Sequence, residues 1–422
     1  MSAKTFAVGI DDIRRAADQI AGHVLRTPTI PAPRLSALTG AEVFVKYENL
    51  QTTNSFKDRG ALVKLLSIGE AQRRAGVIAM SAGNHAQSVA YHARRLGIPA
   101  VIVMPETTPY VKVGNTEALG AEVVLAGAGL AEARAKAEEI ARERGLAMVH
   151  PYDDPLIIAG QGTIALEVLA DQPDIDTLVI PIGGGGLIAG NALAAKALKP
   201  QVEIIGVESA LYPSMQALLR GVAPAAGGET LADGIAVKTP GKLTAPVVEA
   251  LVADIVLVDE AALERAVYLF VSLQKTMAEG AGAAGLAALL AKPARFEGKR
   301  VCLYLSGGNV DPRVLSWIML RGLEGEGKII TIRITIPDQP GMLGAVAGLI
   351  GAEHGNILEV SHGHMLLEVP PKDTTLEFTV ETKDETHSRR LIARLEREGY
   401  AVTRLKGPGG GEIETGGARA GR

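Results

Sequence analysis

The sequence predicts an α/β protein with two open parallel-sheet domains, followed by a smaller ferredoxin-like domain. Over most of the chain, short apolar runs alternate with segments of helical periodicity. This alternation is typical of parallel sheets that are covered by helices on both faces. Near residue 330 the apolar residues change to strict strand-like alternation, and the predicted order of elements becomes βαββαβ. We therefore expect a large N-terminal α/β region and a separate C-terminal module.

The composition points to a folded, multidomain protein and argues against several functional classes. A chain of 422 residues is long enough for two or three domains. Its 43 basic and 47 acidic side chains nearly balance, so no excess of positive charge favours nucleic acid or an anionic membrane. The only cysteine, Cys302, lies in an apolar run, and we expect a buried thiol. The lack of a signal-peptide pattern and of a membrane-length apolar run predicts a cytoplasmic protein.

The predicted strands of the N-terminal region fall into two groups, preceded by a strand at 42–47. The first group is 77–81, 100–104, 122–125 and 147–150, and the second is 177–182, 203–208, 255–259 and 301–306. In open parallel sheets, ligands bind beyond the carboxyl ends of the strands. We therefore expect a site between the strand ends of the two sheets.

A lysine lies at a predicted helix start in residues 54–61, Asn-Ser-Phe-Lys-Asp-Arg-Gly-Ala. Ser55 is a suitable N-cap residue, which would place Lys57 in the first helical turn. A cation is disfavoured there because the free N–H groups already make that helix end positive. A lysine whose charged form is disfavoured can act as a nucleophile that forms an imine with an aldehyde.

A run of four glycines separates a predicted strand from a predicted helix at 187–198. The run and its next residue are Gly183, Gly184, Gly185, Gly186 and Leu187. Glycines allow backbone N–H groups to face an anion, and the helix N-terminus adds a positive dipole end. The run lacks the Lys-Ser/Thr ending of a Walker loop and the spacing of a dinucleotide fingerprint. The pattern predicts a phosphate site.

Two polar motifs follow predicted strands. The first is Ser81, Ala82, Gly83, Asn84 and His85, at the start of a predicted helix. Polar groups at a helix N-terminus beyond a strand end form a natural carboxylate site. The second is Ser-Gly-Gly-Asn, beginning at Ser306. Glu279, before an Ala/Gly-rich helix, is expected to face the same cleft.

These four motifs, in this order, resemble those of the threonine dehydratase (threonine ammonia-lyase) family, which belongs to the tryptophan-synthase-β-like class of pyridoxal 5′-phosphate (PLP) enzymes. The resemblance extends from about residue 10 to residue 405. It implies PLP fold type II over residues 1–327, with a smaller subdomain of about 50–150 inserted in the larger. It also implies these roles: Lys57 as the cofactor-binding and catalytic lysine, Asn84 at the cofactor 3′-hydroxyl, residues 183–187 at the phosphate, Ser306 at the pyridine nitrogen, and residues 81–85 at the substrate.

The implied reaction converts L-threonine to 2-oxobutanoate and ammonia, with L-serine to pyruvate as a side activity. A neutral hydroxyl at Ser306 does not hold the pyridine nitrogen protonated, which weakens the electron sink and favours β-elimination. In related serine racemases the position of Ala82 is a serine that protonates the opposite face of the substrate. Because alanine has no such proton, one-sided elimination is favoured. We expect a mostly structural role for His85.

The same resemblance leaves other interpretations open. Serine racemases carry a divalent-metal site beginning near the residue that matches Glu208, but here the later ligand position is Ser214. Because such sites need carboxylates, we predict that no metal is required. A serine racemase or hydroxyaspartate dehydratase would use the same motifs. A non-catalytic amino-acid sensor is a further alternative from a different class.

The C-terminal module begins after a Gly-rich linker at 322–327. Ile330, Ile332, Ile334 and Ile336 alternate with polar residues, as in a half-buried strand. The turn at 338–341, Asp-Gln-Pro-Gly, resembles the ACT-domain signature, which implies a regulatory domain over 328–406 that binds an amino acid such as isoleucine or valine. The alternative is a module that serves only oligomerisation. We expect a homodimer or homotetramer, in either a biosynthetic or a degradative role, and a disordered tail over 407–422.

Overall fold

The computed structural model describes residues 6–363 and 372–405, together with the backbone of 412–413. The chain divides into two compact units, Met1–Val310 and Asp311–Arg422. Parallel sheets in the first unit and an antiparallel sheet in the second confirm the predicted fold class.

The N-terminal unit alternates helices and strands along most of its length, with short 3-10 helices at Glu48–Leu50 and Asp233–Ile235. In chain order the elements are α1 Ile10–Ile20, β1 Thr29–Pro31, α2 Pro33–Thr39, β2 Glu42–Tyr47, α3 Lys57–Leu66, α4 Glu70–Ala75, β3 Val77–Met80, α5 Asn84–Arg95, β4 Ala100–Met104, α6 Tyr110–Ala118, β5 Glu122–Leu125, α7 Leu130–Arg144, β6 Ala147–Met148, α8 Pro155–Asp171, β7 Thr177–Pro181, α9 Gly186–Leu198, β8 Glu203–Ser209, α10 Ser214–Leu219, α11 Ala245–Leu251, β9 Asp254–Val258, α12 Glu260–Gln274, α13 Gly280–Ala291, α14 Pro293–Phe296 and β10 Arg300–Leu305.

Two sheets organise this unit. The larger has the order β1-β2-β10-β7-β8-β9, with every pair parallel except β1 and β2. The smaller has the order β5-β4-β3-β6 and is parallel throughout. All strands of the smaller sheet lie between β2 and β7 in the chain. Side chains of the central strands are buried on both faces, and Cys302 in β10 is fully buried, as predicted.

Glycines allow three helices of the unit to touch through their backbones. A Cβ added to Gly160 of α8 would lie 2.6 Å from the Cα of Gly60 in α3. A Cβ added to Gly190 of α9 would lie 2.2 Å from the carbonyl oxygen of Ile158 in α8. Both distances are far below van der Waals contact, so neither glycine can be replaced without moving a helix. Helix α8 therefore fixes α3, which begins at Lys57, relative to α9, which follows the glycine run.

A buried ion cluster holds α3 to the larger sheet. The Arg59 guanidinium is fully buried and donates to both carboxylate oxygens of Glu48 at 2.8 Å. It also donates to both carboxylate oxygens of Glu167 in α8, at 2.7 and 2.8 Å. Lys46 of β2 donates to Glu167 at 2.5 Å. Burial alone would raise the pKa of Glu48, but the adjacent Arg59 lowers it, so the carboxylate stays ionised.

The C-terminal unit has a helix followed by a five-stranded antiparallel sheet, β12-β13-β11-β14-β15. Its elements are α15 Pro312–Gly325, β11 Ile329–Pro337, α16 Met342–Ala352, β12 Asn356–Gly363, β13 Asp373–Glu381, α17 Glu385–Arg397, β14 Ala401–Leu405 and β15 Glu412–Ile413. The order from β11 to β14 is the predicted βαββαβ. The four alternating isoleucines of β11 are buried in the core of this unit. Apart from β15, the predicted disordered tail lies outside the described residues.

Across the described residues, none of the helices combines the length and apolar character needed to span a bilayer.

Replacing Arg59 with Ala should destabilise the N-terminal unit by about 3–5 kcal/mol, because the buried Glu48 carboxylate would lose its guanidinium partner and Glu167 would keep only Lys46. The matched control is Arg144→Ala, since Arg144 pairs with Glu122 at 2.9 Å on the surface and an exposed pair contributes about 0–1 kcal/mol. Urea unfolding followed by circular dichroism measures both. Equal midpoints for the two variants would contradict a structural role for the buried cluster.

Candidate active site

The lysine segment is bonded to the carboxyl end of β10. The Phe56 N–H donates to the carbonyl of Ser306 at 3.0 Å, and Ser55 forms an isolated antiparallel bridge with Gly307. The structure therefore brings together two motifs that are far apart in the sequence. Lys57 follows as the first residue of α3.

The prediction that Ser55 caps α3 is wrong. Phe56 occupies the N-cap position, and no side chain bonds the helix start. The Ser55 hydroxyl is buried and has no hydrogen-bond partner in the part of the chain that the structure describes. The bridge to Gly307 explains the difference, because it fixes the Ser55 backbone outside the helix.

The amine of Lys57 lies in a partly buried position. Its Nζ donates to the carbonyl oxygen of Pro151 at 2.8 Å and lies 5.1 Å from the centroid of the Phe56 ring. Burial lowers the pKa of Lys57 to about 8, although the negative charge of Glu279 acts in the opposite direction. An appreciable fraction of this amine is therefore unprotonated near neutral pH, as a nucleophile or a base requires.

Asn84, the first residue of α5, is bonded to two residues of the other half of the unit. Its Nδ2 donates to Oε1 of Glu279 at 2.7 Å, and its Oδ1 accepts from Nδ2 of Asn309 at 2.8 Å. Asn309 ends the Ser-Gly-Gly-Asn motif. Asn84 and the lysine segment therefore both contact the segment that follows β10. We call this meeting point of the two sheets' strand ends the junction.

The remaining polar residues of the first motif form the turn before α5. The hydroxyl of Ser81 accepts from the N–H of Gly83 at 3.2 Å, and Gly83 is the N-cap residue. Ala82 is partly buried against the core of the smaller sheet and carries no titratable proton. The substrate roles of these residues stay predictions.

His85 is buried beside the same junction. Its Nε2 donates to the carbonyl oxygen of Val149 at 2.9 Å, whereas Nδ1 has no partner among the described residues. Burial, assisted by the positive charge of Lys57, lowers the pKa of His85 to about 3. The imidazole is therefore neutral, which agrees with a mostly structural role.

The glycine run connects β7 to α9, as predicted. Gly185 is the N-cap of α9 and has a φ of 96°, in the left-handed region that favours glycine. The backbone N–H groups of Gly183, Gly184, Gly185 and Gly186 meet no hydrogen-bond acceptor among the described residues. These groups, with the helix dipole behind them, form a site suited to a phosphate.

Tyr152 is a site residue that the sequence motifs did not identify. The loop that follows β6 packs against the glycine run, and a Cβ added to Gly184 would lie 2.3 Å from the Tyr152 ring. The Tyr152 hydroxyl donates to the carbonyl oxygen of Thr239 at 2.9 Å. Pro151, the preceding residue, accepts the Lys57 hydrogen bond. One loop thus connects the lysine to the glycine run, and its position beyond a parallel strand was the signal that could have identified it.

Two further groups complete the junction. Ser306 follows β10 and is only 3% exposed. Glu279 precedes α13 and is 6% exposed, and its N–H donates to the carbonyl of Gly307 at 3.1 Å. Burial, together with the negative charge of Asp233, raises the pKa of Glu279 to about 7. The structure places Glu279 against Asn84 and the Ser306 motif.

At the position considered for a metal, the carboxylate is occupied by hydrogen bonds from the backbone. Both carboxylate oxygens of Glu208 accept backbone N–H bonds, from Met215 at 2.7 Å and Gln216 at 3.0 Å. The hydroxyl of Ser214 is buried without a partner among the described residues. Within those residues, no group of three or more His, Cys, Asp and Glu side chains is arranged to hold a metal. That no metal is required stays a prediction.

Comparison with known proteins identifies the family. The sequence pattern of the family described as pyridoxal-phosphate dependent enzyme matches residues 20–307. The chain belongs to this family. The ACT-domain pattern matches residues 330–399, so the C-terminal module is an ACT domain.

Individual relatives extend the comparison over nearly the whole chain. An L-threonine ammonia-lyase from Thermotoga maritima is 43% identical over 397 residues, which cover 94% of this chain and 99% of the relative. The solved structure of a threonine deaminase from T.th. is 40% identical with a TM-score of 0.68, over 72% of this chain and 99% of that one. Maize serine racemase is 36% identical with a TM-score of 0.70, over 76% and 99% of the two chains.

The residues present fit the cofactor of this family. Lys57 offers an amine whose pKa is lowered by burial to about 8. The glycine run offers backbone N–H groups without a protein acceptor among the described residues, at a helix N-terminus. These features provide an attachment point for the aldehyde of pyridoxal phosphate and a site for its phosphate.

Replacing Gly184 with Ala should weaken pyridoxal-phosphate binding at least about tenfold, because the added methyl group would push the Tyr152 ring and shift the loop that contacts Lys57. Gly114→Ala is the matched control, since a Cβ at that helical position meets no atom within 4 Å. Absorbance titration of the cofactor measures both variants. Wild-type affinity in Gly184→Ala would show that the close packing does not shape the site.

Proposed function

We propose that this protein is a threonine ammonia-lyase that converts L-threonine to 2-oxobutanoate and ammonia, with L-serine as a secondary substrate. The observation that carries the proposal is the position of Lys57. Its partly buried amine bonds the loop that packs on the glycine run, and the preceding residue bonds Ser306. Similarity to an L-threonine ammonia-lyase over 94% of the chain supports the same reaction.

Lys57 has two functions in this proposal. It is the residue that would hold the cofactor covalently, and it takes the α-proton of the substrate through Nζ. A pKa of about 8 suits both functions, because the free amine forms readily near neutral pH. When bound, pyridoxal phosphate supplies the electron sink that allows the α-proton and the β-hydroxyl to leave.

Other residues bind and orient the cofactor and the substrate. Residues 183–187 bind the phosphate through backbone N–H groups, and Asn84 binds the cofactor ring hydroxyl. Ser306 contacts the ring nitrogen as a neutral hydroxyl, which limits the electron withdrawal and favours elimination. The turn formed by residues 81–85 binds the substrate carboxylate at the start of α5.

Ala82 favours elimination over racemisation. Racemisation needs an acid on the face of the substrate opposite Lys57, and a methyl side chain cannot supply a proton. Similarity to maize serine racemase keeps racemisation as the alternative to be measured. A chiral amino-acid assay separates the two, because racemase activity would accumulate D-serine whereas elimination accumulates keto acid.

Replacing Lys57 with Ala should abolish keto-acid formation from L-threonine, because the attachment point and the base are lost together. Lys136→Ala is the control, since that lysine is partly exposed on α7 and pairs with a neighbouring glutamate at 2.8 Å. The absorbance spectrum is measured before and after addition of L-threonine, and keto acid is followed in the same sample. An undiminished rate in Lys57→Ala would refute the assignment, and absence of a visible band in wild type with added pyridoxal phosphate would refute cofactor binding.

We also propose that the ACT domain binds an amino acid such as isoleucine or valine and alters the rate. The turn at 338–341 ends with Gly341, which has a φ of 89° and is the N-cap of α16. Such a turn between a strand and a helix presents backbone groups that can bind a small zwitterion. A homodimer or homotetramer remains our expectation for the assembly, and light scattering measures it.

The effector proposal predicts a change in L-threonine kinetics with at least one branched-chain amino acid. Gly341→Val should reduce this response and leave the basal rate intact, because valine is strained at positive φ. Gly344→Val is the matched control, since it lies inside α16 without positive φ, and a Cβ there meets no atom within 4 Å. Identical kinetics across a panel of amino acids would contradict regulation by the ACT domain.

A further inference from the structure

A chain of hydrogen bonds fixes the orientation of the Asn84 amide. Oδ1 accepts from Nδ2 of Asn309 at 2.8 Å, and Nδ2 donates to Oε1 of Glu279 at 2.7 Å. An asparagine amide has one acceptor atom and one NH2 donor group. Because its acceptor faces a donor and its donor faces a carboxylate, a flip of this amide would break both bonds.

Asn309 and Glu279, the two residues that bond Asn84, make further hydrogen bonds of their own. Nδ2 of Asn309 also donates to the carbonyl oxygen of Thr53 at 2.8 Å. The backbone N–H of Asn309 bonds the carboxylate of Glu279, whose own N–H donates to Gly307. The two partners of the amide are therefore connected to each other and to the segment that precedes Lys57.

The close approach of these groups depends on Gly307. A Cβ at that position would lie 2.3 Å from Oε1 of Glu279 and 3.1 Å from Nδ2 of Asn84. Glycine therefore leaves the space in which the carboxylate and the amide meet. Buried polar networks of this kind, in which a carboxylate is hydrogen-bonded to its neighbours, hold their side chains in one arrangement.

The amide retains one unused donor. An NH2 group carries two hydrogens, and Glu279 takes one of them. The second has no acceptor among the described residues. Glu279 and Asn309 thus determine the direction in which the remaining hydrogen points.

We propose that Glu279 and Asn309 are positioning residues that act through Asn84, orienting its free N–H toward the ring hydroxyl of the cofactor. This inference rests on the proposed function, because Asn84 is there assigned to the cofactor. Neither positioning residue touches the reacting atoms. Their effect on cofactor affinity therefore disappears when the Asn84 amide is absent.

The test is a double-mutant cycle on the dissociation constant of pyridoxal phosphate, measured by absorbance titration. Glu279→Ala and Asn84→Ala should each weaken binding by about tenfold or more, and the double variant should bind no more weakly than Asn84→Ala. Glu279→Gln should recover most of the affinity lost in Glu279→Ala, because its amide oxygen can accept the Asn84 bond. Asn309→Ala should behave as Glu279→Ala does.

Glu208→Ala is the matched control, because Glu208 is also a buried carboxylate with a pKa raised to about 7 by burial, but its carboxylate bonds the start of α10. Any loss of affinity in that variant should add to the loss from Asn84→Ala. Additive losses for Glu279 and Asn84, or wild-type affinity in Glu279→Ala, would overturn the inference.

The cycle separates this inference from the proposed function, because it measures binding without turnover. Wild-type protein that binds pyridoxal phosphate but forms no keto acid from L-threonine would refute the reaction and leave the cycle interpretable. Wild-type protein that does not bind pyridoxal phosphate would overturn both.

Discussion

The burial of the Arg59 guanidinium between two carboxylates is the interaction on which the site depends. Arg59 lies two residues after Lys57, and its partners belong to the segment after β2 and to α8. A buried charge of this kind is costly unless each partner is in place. The cluster therefore allows one position for the start of α3 and, through it, for the lysine. The glycine contacts of α8 extend the same constraint to α9.

The site is formed by segments whose conformations depend on contacts with distant parts of the chain. The lysine segment is bonded to the end of β10, the amide of Asn84 is held by Glu279, and the glycine run is packed under Tyr152. Each of these contacts joins elements of different parts of the N-terminal unit. The geometry of the candidate site therefore follows from the packing of the two sheets, and local helix capping contributes little to it.

The sequence was sufficient to predict the fold class, because apolar periodicity and element order depend on local residues. It also located the four motifs, because three of them directly follow a predicted strand and the lysine segment lies at a predicted helix start. It failed for Ser55, where the capping rule considers only neighbouring residues and cannot include a backbone bridge to Gly307. It missed Tyr152, whose importance arises from contact with a glycine that is distant in the chain. It predicted that Glu279 faces the same cleft as Asn84, but not that the Glu279 carboxylate accepts a hydrogen bond from the Asn84 amide.

The pairing of Ser55 with Gly307 has a consequence for biosynthesis of the protein. The lysine segment leaves the ribosome long before its partner strand end, so the first part of the nascent chain holds Lys57 without its surroundings. Contacts between such distant segments form late, because closing a long loop costs entropy before the contact is made. The surroundings that lower the pKa of Lys57 include the segment after β10 that bonds Ser55 and Phe56. They can therefore be complete only after nearly the entire N-terminal unit has been synthesised.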